Sequence, residues 1–149
     1  MTEQGNSITT QELWARLFEA PSVDSFFLDM NGSALPAFAD YISDLAEARG
    51  EKPETIIRRS NLESSFGHRL FSGTRNPSRD TVLQLAFGFG LTSDETQLLM
   101  KVARVTALHP KVRRDAVIAY GLHHRLTLIE TQQLLHDSGL PLIGGVKRG

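Results

Sequence analysis

The chain has 149 residues, 40% of them apolar and 22% charged, with a formal net charge of −1. That supplies enough apolar material for one globular domain with helical extensions, and too much for a disordered protein. It contains no cysteine, which excludes disulfides, thiolate zinc sites and cysteine nucleophiles.

No stretch approaches 18 uninterrupted apolar residues, so no membrane span is expected. Met1 to Thr10 is polar and lacks the apolar stretch of a leader, so a cytoplasmic location is expected. The small net charge conceals an asymmetry. Residues 1–48 carry eight acids against one base, Arg16. Residues 49–80 carry seven bases against four acids, and residues 81–149 eight bases against five. A pI near 6.5 argues against strong indiscriminate binding of nucleic acid.

Helix signals dominate, and no alternating β-branched run argues for a sheet. Thr9 to Glu12 reads as a capping box ahead of the stripe Leu13, Trp14, Leu17 and Phe18. Pro21 ends that helix, and Ser22 to Met30 predicts a short second one. Asn31 to Ser33 is a break. Pro36 suits the first turn of a longer helix that stops at Gly50. Pro53 opens a short helix through Ser60, and a further helix runs from about Glu63 to Ser72, terminated by Gly73.

Ser78 caps a helix that runs towards Gly90. Thr92 to Glu95 is a capping box for the next helix, with Leu98, Leu99, Val102 and Val105. Pro110 opens a helix through about Arg125, with Val112, Ala116, Val117, Tyr120 and Gly121 near one face. Thr127 to Glu130 caps a last helix that stops near Gly139, and Leu140 to Gly149 reads as a tail. The last two helices make a hairpin whose apolar faces need the core or a second subunit. The predicted fold class is therefore all-α.

The segment 53–78 points most firmly at a function. It predicts two short helices across a tight turn, followed by a polar loop and a helix cap. Ile56 and Ile57 supply core contacts from the first helix, and Leu62, Phe66 and Leu70 from the second. Asn61 suits the turn because asparagine tolerates positive φ. Gly67 permits a close backbone approach to Ile57, so a large residue faces none. With the apolar residues inward, Ser64, Ser65, His68, Arg69 and Ser72 share an outward arc of about 140°, at 100° per residue.

Short hydroxyls allow close approach to base edges, and arginine can grip guanine with two hydrogen bonds. Thr74, Arg75 and Asn76 offer a cation and two short donors for phosphate oxygens. Glu63 either accepts from cytosine or caps the helix. Of Arg58 and Arg59, at most one is expected to touch DNA.

Residues 35–106 resemble the XRE family of lambda-repressor-like regulators. The run Phe71-Ser-Gly-Thr-Arg-Asn-Pro-Ser78 is similar to that family's Gly-Lys-Arg-x-Pro-Ser loop. The family usually has a small residue where Ile57 stands and a branched one where Gly67 stands, the reverse of this chain. Pro53 stands where it often has a phosphate-contacting glutamine, and Ser60 where it usually has an apolar residue. The resemblance implies a lambda-repressor-like five-helix DNA-binding domain (35–106), flanked by an acidic helical extension (1–34) and a C-terminal hairpin and tail (107–149). It implies a dimeric repressor reading double-stranded DNA with helix 63–72.

The alternative is a protein-interaction module, antitoxin-like or an adaptor, that docks a partner through its acidic first 48 residues. Trp14, Phe18, Phe26 and Phe27 read as core aromatics. His123, His124 and His136 read as solvated, so no metal or cofactor is expected. Lys111, Arg113 and Arg114 read as a solvated face rather than a second DNA patch. No phosphate-cradling glycine loop or catalytic triad is evident, so no enzyme is expected.

Overall fold

A computed structural model describes residues 9–23 and 35–145. Among these the chain is all-helical, with eight helices and no strand. It divides into two compact units, residues 1–35 and 36–149.

The first unit contributes α1 (Thr10–Glu19). Its start is fixed as the sequence predicts: the Thr9 hydroxyl accepts from the Glu12 N–H, and the Glu12 carboxylate accepts from the Thr9 N–H. The expectation that its aromatics are core does not hold. No residue of α1 is buried. Trp14 and Phe18 are 56% and 76% exposed and stack on each other with ring centroids 5.6 Å apart. The stripe exists, with Leu13 and Leu17 partly buried and both rings exposed. The helix expected over 22–30, with Phe26 and Phe27, lies almost wholly outside the described residues.

The second unit holds α2 (Phe38–Ala48), α3 (Pro53–Arg59), α4 (Ser64–Ser72), α5 (Arg79–Phe89), α6 (Ser93–Val102), α7 (Arg113–His123) and α8 (Leu128–Asp137). Pro36 precedes α2 rather than opening it. Ala37, the N-cap, is still extended, so the first helical turn begins after the proline. Pro53 does take the first position of α3. Left-handed glycines end α4 and α5, Gly73 at φ 88° and Gly90 at φ 73°. The capping boxes at Thr92/Glu95 and Thr127/Glu130 close in both directions.

Helix α5 is the centre. Eight of its eleven residues are buried, from Thr81 to Phe89 with only Phe87 partly exposed, the signature of a helix wrapped on all sides. Helices α3, α6 and α8 pack against it. One apolar cluster runs from Ile42, Ile56 and Leu70 through Leu83 and Leu99 to Ile118, Leu135 and Ile143. Each fully buried leucine or isoleucine there contributes about 1.5–3 kcal/mol of transfer free energy. The apolar face of the α7–α8 hairpin is thus inside the same core as α3 and α4.

Two expectations at this end need correction. Helix α7 begins at Arg113, not Pro110, and its inward side carries Asp115, Ile118, Gly121 and Leu122. Val112 and Tyr120, expected near one face with Gly121, are 49% and 56% exposed. The pattern misleads because a charged residue, Asp115, faces inward. Its carboxylate takes a bidentate pair from Arg79 at 2.8 and 3.1 Å and the His109 N–H at 3.0 Å.

Nor is 140–145 a free tail. Ile143 is buried, and its backbone N–H and carbonyl both bond the Gln132 amide at 2.8 Å. Residues 146–149 lie outside the described part.

Candidate nucleic-acid interface

Helices α3 and α4 meet across a turn whose geometry follows from three residues. Asn61 adopts φ 58°, the left-handed conformation that asparagine accepts more readily than most residues. A Cβ on Gly67 would stand 2.5 Å from Ile57 Cγ2 and 2.7 Å from Cγ1. The absence of a side chain at 67 is what lets Ile57 occupy the crossing. Ser60, fully buried, turns its hydroxyl back to the Ile56 carbonyl at 2.7 Å. A Cβ on Gly88 would collide with that hydroxyl. Position 60 is small because α5 crosses there.

Gln84 completes the turn. Its amide N–H donates to the carbonyls of Ser60 (3.0 Å) and Asn61 (3.4 Å), which the end of α3 leaves without helical partners. Nothing in the sequence points to this residue, since it lies 24 positions away on another helix.

Glu63 is the N-cap of α4, so its role as a cap is realised. Its carboxylate accepts from the Phe66 N–H (2.8 Å) and the Ser65 N–H (3.2 Å). Those two bonds hold it below its ordinary value.

Outward from this frame lie all eight predicted contact residues: Ser64, Ser65, His68, Arg69 and Ser72 on α4, and Thr74, Arg75 and Asn76 in the loop that follows. Every one is exposed. The structure brings them to one helix and its adjoining loop. Arg69 donates to the Ser65 hydroxyl at 3.1 Å, one turn back on the same helix. The Ser72 and Thr74 hydroxyls are 3.2 Å apart, linking the helix end to the loop. Arg75 lies over the Phe66 ring, 5.3 Å from its centroid, which holds the loop cation beside α4.

The other nearby cations divide cleanly. Arg59 is committed to Glu51 at 2.7 Å. Arg79, next to the loop, turns away to Asp115 and to the Thr106 and Ala107 carbonyls. Arg58 is exposed and has no side-chain partner among the described residues. The start of α5 adds few free donors: the Ser78 hydroxyl already takes the Thr81 N–H, and Asp80 places a carboxylate there, engaged by Arg114.

Chemically, the surface offers a guanidinium, an imidazole and three hydroxyls along about two turns of helix, flanked by a second guanidinium. It can donate to acceptors at the bottom of a groove and to anionic oxygens at its rim. No helix among the described residues is long and apolar enough to cross a membrane. Comparison with protein families, curated proteins and solved structures finds no match.

Proposed function

We propose that this chain is a sequence-specific DNA-binding regulator of the lambda-repressor-like, XRE type. Helix α4 enters the major groove, and the loop Thr74–Asn76 grips the phosphate backbone. The observation that carries this reading is the exposure of all eight contact residues, five on a helix braced from behind by the Ile57–Gly67 crossing, the Asn61 turn and the Gln84 clamp, and three in the loop that follows it. A rigid frame with a polar outer edge is what base reading requires.

In this reading Arg69 is the base reader, with two parallel donors for guanine. His68, Ser64 and Ser65 supplement it from the first turns, and Arg75 neutralises a phosphate. The protein acts in the cytoplasm as a dimeric repressor, each subunit taking one half-site. It needs no cofactor and is not an enzyme.

Salt titration tests the phosphate grip. Affinity for duplex DNA should fall steeply with salt, and Arg75→Ala should lower the slope of log K against log[salt] by about 0.9, the value for one neutralised phosphate fewer. An unchanged slope would remove Arg75 from the interface.

A second reading has one observation behind it. Helix α1 presents Trp14 and Phe18 to solvent, and the segment around it is acidic. An antitoxin-like or adaptor protein would use that face on a basic partner protein. A chain whose retention on duplex DNA is indifferent to both Arg69→Ala and Arg75→Ala would favour it.

A further inference from the structure

Residues 96–114 contain five bases and no acid. One of the five, Arg114, is spent internally on Asp80 and on the Pro141 and Leu142 carbonyls. The other four, Lys101, Arg104, Lys111 and Arg113, are all exposed. None of them makes a side-chain hydrogen bond or ion pair among the described residues. Resting on the DNA-reading role of α4 and its loop, we infer that these four cations are a second grip on the DNA backbone, outside the turn between α3 and α4.

Placement carries the argument first. The start of α7 is fastened to the start of α5 by two reciprocal pairs, Arg79 with Asp115 and Arg114 with Asp80, at 2.8 and 3.0 Å. Arg79 also holds the connection between α6 and α7 through the Thr106 and Ala107 carbonyls. Arg79 is four residues beyond Arg75, so the cationic connection is anchored at the foot of the loop that grips phosphate. Arg113 is two residues from Asp115, within about 7 Å of chain. The start of α7, with Arg113, is therefore fixed against the start of α5, which directly follows the loop.

Charge carries it next. Lys101 and Arg104 sit at the carboxyl end of α6, where a cation is favoured by the helix dipole. Arg113 has no such explanation. It occupies the first position of α7, where the dipole opposes a cation. Its neighbour Arg114 is compensated by Asp80, but Arg113 has no carboxylate partner among the described residues. The two carboxylates that flank residues 96–114 are also taken, Glu95 by Arg49 and Asp115 by Arg79. Four exposed, unpaired cations within thirteen residues, on a stretch tied to the helix that follows the loop, fit a polyanion that spans several phosphates.

The test uses the full chain and a duplex it has selected from a random-sequence pool. The variant Lys101→Ala, Arg104→Ala, Lys111→Ala, Arg113→Ala is compared with the charge-keeping set Lys101→Arg, Arg104→Lys, Lys111→Arg, Arg113→Lys. If at least two of the four touch phosphate, the alanine set should lower the salt slope by about 1.8 or more. It should also lose hydroxyl-radical protection at one edge of the footprint while keeping the selected sequence. The charge-keeping set should retain both slope and footprint.

A slope and footprint unchanged in the alanine set, with Arg75→Ala still lowering the slope, would overturn this second grip and leave α4 as reader. A chain that selects no duplex would overturn both. All four side chains are exposed, so the circular dichroism spectrum and denaturation midpoint should stay close to those of the parent. An alanine set that unfolds contradicts the surface placement on which the inference stands.

Discussion

Ile57 and Gly67 meet where α3 crosses α4, and the missing Cβ at 67 is filled by three carbons of Ile57 within 2.9 Å of where it would stand. Gly67→Ala should therefore destabilise the protein by about 1–3 kcal/mol, the usual cost of overpacking, although alanine favours a helix over glycine by about 1 kcal/mol. In an Ile57→Ala background the same change should be neutral or stabilising, which a double-mutant denaturation cycle will read. Equal effects in both backgrounds would mean the contact is not the reason for the glycine. The exchange of sizes at these two positions is legible in the sequence because both residues sit in one short segment. Ser60 is not: its burial depends on Gly88 and Gln84, which no local pattern connects to it. Glu63 yields a pH prediction. The Phe66 and Ser65 N–H groups hold its carboxylate below its ordinary value of 4.5. A depressed carboxylate value stabilises above the ordinary pKa, and that contribution disappears as pH falls through the lowered value. The amide shifts of Ser65 and Phe66 should titrate with a midpoint below 4.5 and stop titrating in Glu63→Gln. A midpoint at or above 4.5 contradicts the cap.

Helix boundaries are readable wherever they rest on local chemistry. Thr9, Thr92 and Thr127, each with a glutamate three residues on, form the capping boxes their spacing announces, and Gly73 and Gly90 take the left-handed conformation that stops α4 and α5. The start of α7 is misleading in the sequence because proline marks a possible first turn, not a required one, and the chain turns at 110–112 before the helix begins. Residues 140–145 resemble a tail because their support is distant: Gln132 brackets Ile143, and Asp80 accepts from the Gly144 N–H at 3.0 Å. The two Arg–Asp couples are the same kind of case. Arg79-Asp80 and Arg114-Asp115 are identical dipeptides, far apart in the chain, that exchange partners, and nothing short of the fold pairs them. Asp115 is almost fully buried, with 5% of its side chain exposed, while Arg79 retains 27%. Asp115→Ala strands that arginine and the His109 N–H, so we expect a loss of about 3 kcal/mol, the lower end for breaking a buried pair, because Arg79 can still reach water. Urea denaturation measures it, and a loss under about 0.5 kcal/mol would mean the couple contributes no more than an exposed surface pair.

The second unit as a whole is a braced scaffold with one polar outer edge. Helix α5 is enclosed, α3 and α4 are fixed on it by a glycine crossing and an amide clamp, and the α7–α8 hairpin shares its core. The exposed serine, histidine and arginine residues of α4 contribute little to this core, which leaves them available for the contacts proposed above. The first 48 residues stand apart in charge, with eight acids against one base. The claim on which the rest depends is that α4 reads bases, and enrichment of duplexes from a random-sequence pool by the immobilised full chain tests it most directly. We predict that a single family of related sequences emerges, and that Arg69→Ala relaxes the preference at one base pair at a cost of about 1–3 kcal/mol. A pool that stays random, or an enriched sequence that Arg69→Ala leaves unaltered at every position, would contradict it.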